Sequence, residues 1–262
     1  MSEPLIVVNG FDGVNLANSN CGRCEPPDAN SAVGPNHIVE AVNLSLAVYT
    51  KTGGVLQSTA LNTFLGTADL LSDPRVLYDP TWDRWSLVAT DISTPALWLA
   101  YSIGPDPTDS WNIYEIGFPF AAASIVDYPI VSMDLDAFIY TSNNFDAALN
   151  YINSTAFSVS KALVYNGFGW STPLFGVAFN TTPAIVVGHP AQRSARTYLL
   201  SPDDASNVIN VYYISDASQN PSLRFNGAIA YTWAAPPRRV NQPGGHNARP
   251  TGREDRVGYQ PT

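Results

Sequence analysis

Five times along this chain a proline leads into a short apolar strand, at nearly constant distance, and no other feature narrows the fold as far. The stretches are PPDANSAVGPNHIVEAVN from Pro26, SDPRVLYDPTWDRWSLVATD from Ser72, DYPIVSMDLDAFIYTSN from Asp127, TPAIVVGHPAQRSARTYLLS from Thr182 and PPRRVNQPGG from Pro236. Their reference prolines, Pro27, Pro74, Pro129, Pro183 and Pro237, stand 47, 55, 54 and 54 residues apart. A period of that length marks a chain built from repeated supersecondary units, none of which buries its own faces alone.

Between these openings the pattern is β throughout. HIVEAVN, SLAVYTK and GGVLQST follow the first, with Gly53-Gly54 as a hairpin turn, and RWSLVATD, ALWLAYSI and WNIYEIG follow the second. AFIYTSN, AFSVSKALVYN and a run near WSTPLFGVA follow the third; RTYLLSP, VINVYYISD and GAIAYTWA follow the fourth. Only ALNTFLGTADLL (60–71) has helical periodicity. About four short strands per repeat predict an all-β fold, a β-propeller of about five four-stranded blades. A sandwich is the main competitor; a parallel β-helix has shorter repeats and lacks the hairpin turns. The Asp73-Pro74 pair is expected to start a blade's innermost strand, because proline cannot donate to a ladder. In WDRW, Asp83 is expected to cap the turn between Trp82 and Trp85.

Residues 1–235 are assigned to the propeller. Beyond them the composition changes, and the chain ends in AAPPRRVNQPGGHNARPTGREDRVGYQPT. Residues 236–262 are either a partial last blade, completed by PLIVVNG or by further chain, or an extended Arg/Pro/Gly-rich tail through which copies associate.

Charge narrows the partners. The chain has 22 acidic against 13 basic residues, a net charge of −9, and only Lys51 and Lys161 as lysines. A nucleic acid would be repelled; neutral glycans and divalent cations are compatible. No run of eighteen apolar residues exists. Cys21 and Cys24 are the only cysteines. Zinc would need two further ligands, and a thioredoxin-like motif a strand before and a helix after, so a small loop disulfide is the expectation. The composition leads us to expect an extracellular protein whose signal peptide has been removed.

In a propeller the openings of the innermost strands converge near one end of the central channel. Asp28, Asp73 and Asp127 lie beside three of those openings. With Asn30 they form a candidate Ca²⁺ site; alternatively Asp73 and Asp127 serve as acid and base on a glycosidic bond; or each aspartate merely caps its own turn. Glu40 and Glu115 fall within strands away from the openings. Trp82, Trp111 and Tyr114 are candidate platforms for a sugar face, with inter-blade packing as the alternative. His189, in VVGHPAQR, matches Asp79 of VLYDPTWDR in position and is a candidate ligand contact. No nucleophile elbow, zincin helix or P-loop occurs.

PPDANSAVGPNHIVEAVN, SLAVYTKTGGVL, DPRVLYDPTWDRWSLVAT, AYSIGPDPTDSWNIYEI and DYPIVSMDLDAFIYTSN resemble secreted sialidase-like, or BNR-repeat, propeller proteins, most of them uncharacterised. The resemblance covers roughly residues 10–200. A strict Asp-box, S-x-D-x-G-x-x-W, is absent. Sialidases clamp their acidic sugar with three arginines, for which Arg75, Arg193 and Arg196 are the candidates here. AYSIGPDPTDSW is similar to the A-x-S-x-D-P-T-G-x-W phrase of five-bladed glycosidases acting on arabinans and xylans, with Asp109 in place of its glycine. Together these point to an extracellular propeller that binds a glycan or another surface ligand, with calcium as a candidate cofactor. Two alternatives stand beside it: a glycoside hydrolase or lyase with aspartates at the channel mouth, and a structural, self-assembling protein.

Overall fold

Alternating side chains that are apolar on both faces need a cover on both sides, and the chain supplies it by stacking sheet upon sheet. A computed structural model describes residues 10–15, 17–21, 24, 26–186 and 196–232, and the backbone of 240–241 and 247–248. The first blade comprises β1 (Asn30–Val33), β2 (His37–Val42), β3 (Ser45–Thr50) and β4 (Val55–Ala60), followed by the short helix α1 (Leu61–Leu65). The second comprises β5 (Leu71–Asp79), β6 (Arg84–Asp91), β7 (Ala96–Ser102) and β8 (Trp111–Gly117). The third has β9 (Ile125–Met133), β10 (Ala137–Phe145), β11 (Tyr151–Ser160), helix α2 (Lys161–Val164) and β12 (Phe175–Val177). The fourth has β13 (Thr182–Pro183), β14 (Arg196–Asp203), β15 (Val208–Ser215) and β16 (Ser222–Ala230). Each sheet is an antiparallel meander in chain order. The first strands lie side by side, β1 against β5, β5 against β9 and β9 against β13, which is the arrangement of a β-propeller. A two-stranded pair, β17 (Val240–Asn241) and β18 (Asn247–Ala248), follows the four complete blades. Pro237 and most of the segment assigned to the tail lie outside the described residues.

Three apolar seams hold the blades together. Trp85, Leu87 and Ala89 of β6 face the first blade, where they meet Val39, Leu46 and Val48. Val88 of the same strand, with Leu97, Leu99 and Tyr101 of β7, faces Val131, Phe138, Tyr140 and Phe157 of the third blade. The third seam, Ala137, Ile139 and Ala156 against Leu199 and Ile214, is smaller. Period-two alternation thus feeds two different cores from one strand. Gly34 is required by the first seam, since a Cβ there would stand 2.6 Å from the Trp85 ring.

The openings differ from expectation in one respect. Proline does not begin the innermost strand. β5 starts at Leu71 and β9 at Ile125, and both run through a bulge in which Asp73-Pro74 and Tyr128-Pro129 each interrupt the register. A bulge leaves a residue unpaired, so the missing proline N–H removes no ladder bond. The residue at the bend is left-handed in every blade: Asp28 (φ 46°), Asp73 (φ 50°), Tyr128 (φ 52°) and Asn180 (φ 57°). Asp and Asn tolerate that region better than most residues. The turn after β5 also differs. Its amides at Thr81 and Trp82 donate to Asp79 Oδ1, whereas Asp83 accepts from the Tyr78 hydroxyl, so Asp79 is the cap.

Candidate functional site

In the second, third and fourth blades the left-handed bend presents a backbone N–H to a side chain of the preceding blade. Asp73 N donates to Asn43 Oδ1 at 2.9 Å, Tyr128 N to Asp73 Oδ2 at 3.2 Å, and Asn180 N to Asn143 Oδ1 at 3.1 Å. Asn43 directly follows the second strand of blade one, and Asn143 lies near the end of that of blade three. At the matching place in blade two stands Thr90, whose hydroxyl donates to Val126 O instead, leaving the Tyr128 amide to Asp73. Asn43 also donates to Asp28 Oδ2 (2.5 Å) and Pro26 O (3.0 Å), and its Oδ1 accepts from Ser72 Oγ (3.2 Å).

This ladder brings Asp28, Asp73 and Asp127 into one row, hydrogen-bonded from the first to the third. All three are half-buried. Burial, then the charge of Asp73, raises the Asp28 carboxyl to about 6, against the pull of the Asn43 hydrogen bond. Burial, then the charge of Asp127, raises Asp73 to about 6 as well. The hydrogen bond with Asp28 lowers Asp73 and the one with Asp127 raises it. Arg75 eases the row electrostatically and lies over the Tyr128 ring at 5.5 Å, while its Nε is buried without a hydrogen-bond partner. The arrangement can hold, give and take a proton within reach of solvent.

The other expected site residues fall elsewhere. Asn30 is turned away from the carboxylates; its Oδ1 accepts from Val76 N at 2.7 Å. Among the described residues no group of three or more His, Cys, Asp or Glu side chains is arranged to hold a metal ion. Trp111 is half-buried, packs edge-on against Phe64 and donates to Pro107 O. Trp82 is half-exposed, lies over Tyr165 at 5.4 Å and donates to Leu135 O. Tyr114 borders a cleft on the blade flank rather than the row. His189 and Arg193 lie outside the described residues, and Arg196 lies over the Tyr213 ring at 4.5 Å. Cys21 and Cys24 are joined in a disulfide. No helix among the described residues is long and apolar enough to cross a membrane.

Sequence reasoning passed over a second polar cluster. Lys161 Nζ sits 2.6 Å from Asp79 Oδ2, both side chains 1% exposed, and the Tyr165 hydroxyl donates to the same oxygen at 2.9 Å. Burial lowers Lys161 while Asp79 acts against that, and burial pushes the Tyr165 phenol far up. The scarcity of lysine was the available signal.

No protein-family model matches the sequence, and no curated protein matches it, so the resemblance to sialidase-like proteins stands on the quoted motifs alone. Solved structures are similar at low identity. An exo-β-1,3-galactanase from Phanerochaete chrysosporium is 9% identical with a TM-score of 0.39, over 76% of this chain and 49% of that one. An α-L-arabinofuranosidase from Lactobacillus brevis is 11% identical with a TM-score of 0.43, over 79% and 75%. An apocarotenoid oxygenase from Synechocystis is 11% identical with a TM-score of 0.45, over 84% and 54%. The chain thus spans about half the length of the galactanase and the oxygenase.

Proposed function

We propose that the chain is a carbohydrate-active propeller, cleaving a neutral glycan by acid–base chemistry at the row of aspartates. The observation that carries this reading is the pair Asp28 and Asp73, raised to about 6 in a half-open row that ends on Asp127. A carboxyl that keeps its proton near neutrality is what protonation of a leaving sugar oxygen requires. Asp73 is the acid and Asp127, whose charge helps raise it, the base. A net charge of −9 favours neutral over acidic substrates.

The test is release of reducing ends from neutral polysaccharides such as arabinan, xylan and galactan. Asp73→Asn, which keeps the acceptor for Tyr128 N, is expected to lower the rate by ~10²-fold or more. The rate should also fall as pH rises past about 6, where Asp73 loses its proton. Equal rates in wild type and Asp73→Asn would sink the assignment.

A second reading, extracellular glycan binding without cleavage, is favoured by the acceptor bond of Asp73 to Tyr128 N, because an architectural duty accounts for a carboxylate there. Retention on immobilised glycan with no release of reducing ends would select it.

A further inference from the structure

A cleft of ≈ 470 Å³ opens on the flank of the molecule, between β8 of the second blade and the connection from α2 to β12 in the third. Its walls include Tyr114, Trp170, Glu115, Ser171, Thr172 and Leu174. The walls are fixed by bonds between blades. Asn112 Nδ2 donates to Val164 O at 3.0 Å, and the Tyr114 hydroxyl donates to Phe168 O at 3.2 Å. Tyr114 in turn holds the Trp170 ring edge-on at 4.7 Å.

Two polar groups in this cleft lack what their counterparts have. The other four described tryptophans, Trp82, Trp85, Trp98 and Trp111, donate their indole N–H to Leu135 O, Pro105 O, Asp91 Oδ2 and Pro107 O. The Trp170 indole has no acceptor among the described residues. Thr172 Oγ1 is buried and has no hydrogen-bond partner. A buried hydroxyl left unmatched costs free energy unless something outside the fold completes it. An aromatic wall, an unused donor, an unused hydroxyl and a carboxylate at the rim form a complementary set. They suit a ring with an apolar face and a hydroxylated edge. The Glu115 carboxylate and the chain's overall negative charge disfavour an acidic ligand.

We infer that this cleft is a carbohydrate-binding site separate from the aspartate row, one that takes a neutral pyranose or furanose unit of a glycan. Trp170 and Tyr114 supply the apolar wall, and Trp170 Nε1 and Thr172 Oγ1 bond the hydroxyls. The site does not depend on the row having any catalytic role.

The experiment is a titration of the purified protein with neutral arabino-, xylo- and galacto-oligosaccharides, read by tryptophan fluorescence and by NMR. Trp170→Ala should weaken binding by about tenfold or more, the loss expected for one stacking contact and one hydrogen bond. Thr172→Val distinguishes a ligand contact from a structural one. It removes an unsatisfied hydroxyl without changing volume, so the thermal midpoint should hold or rise while affinity falls severalfold. Asp73→Asn should leave affinity at this cleft unchanged even where cleavage is lost, so the two sites fail separately. The inference is overturned if no oligosaccharide perturbs the Trp170 signals at millimolar concentration, or if a charged sugar or a peptide does so instead. It is overturned equally if Thr172→Val lowers the midpoint and leaves affinity intact.

Discussion

Strand β5 carries an aspartate near each end, and the two live under opposite conditions. Asp79, at the far end, is fully buried and fully matched: two turn amides, a tyrosine hydroxyl and the Lys161 ammonium all point at it. Asp73, at the near end, is half open and faces two further carboxyls, with Arg75 as the nearby cation and the Tyr128 amide and Ser72 hydroxyl as donors. The first is a lock between the second and third blades. The second is a concentration of like charge that a purely architectural strand would have no need of. Residue type and strand are the same, so the neighbours alone decide whether a carboxylate stabilises the fold or is held ready for something else.

The largest test of that contrast is to break the lock. Lys161→Ala leaves a buried carboxylate without its cation and is expected to cost about 3–5 kcal/mol by chemical denaturation. A cost under ~1 kcal/mol would mean that Asp79 is held by its hydrogen bonds alone. At the near end the sign should reverse. Asp73→Asn relieves repulsion in the row and keeps a side chain suited to φ 50°, so the thermal midpoint at pH 7 should rise, by about 1–3 °C. A fall of several degrees would place Asp73 among the structural residues.

A smaller effect appears in the pH dependence of stability. Asp28 and Asp73 bind protons more tightly folded, at about 6, than at the ordinary 3.8. Between those values the folded chain holds more protons than the unfolded one. Their contribution is therefore complete below about pH 4 and lost as pH rises through 6. Melting from pH 4 to 7 should show that decline in the wild type and a weaker one in Asp73→Asn; parallel curves would contradict the raised carboxyls. The smallest effect concerns cations. With Asn30 bonded to the Val76 amide instead, added Ca²⁺ after EDTA should shift the midpoint by less than about a degree. A larger rise, lost in Asp73→Asn, would establish calcium as a ligand.

Much of the architecture was legible because it is written locally. Prolines at a steady spacing and side chains alternating with period two fix strands and blades before any contact is known, and the convergence of Asp28, Asp73 and Asp127 follows from that repetition. What escaped was decided across the chain. Nothing near Asp79 announces Lys161, which arrives on a four-residue helix three strands into the next blade. Trp82 and Trp111 read alike as aromatics near turns, yet Phe64 from the preceding connection claims Trp111. Trp170 draws no notice in WSTP, and its lack of an acceptor is visible only once the other tryptophans are seen to have theirs. The bulge was missed because an Asp-Pro pair looks the same at a strand's start as within it.

The amide ladder gives the molecule a direction of growth. From the second blade on, each bend hands its N–H to a side chain lying earlier in the chain, from Asp73 to Asn43, from Tyr128 to Asp73 and from Asn180 to Asn143. As the polypeptide leaves the ribosome, every new blade therefore meets a finished template behind it and never waits for one still to be made.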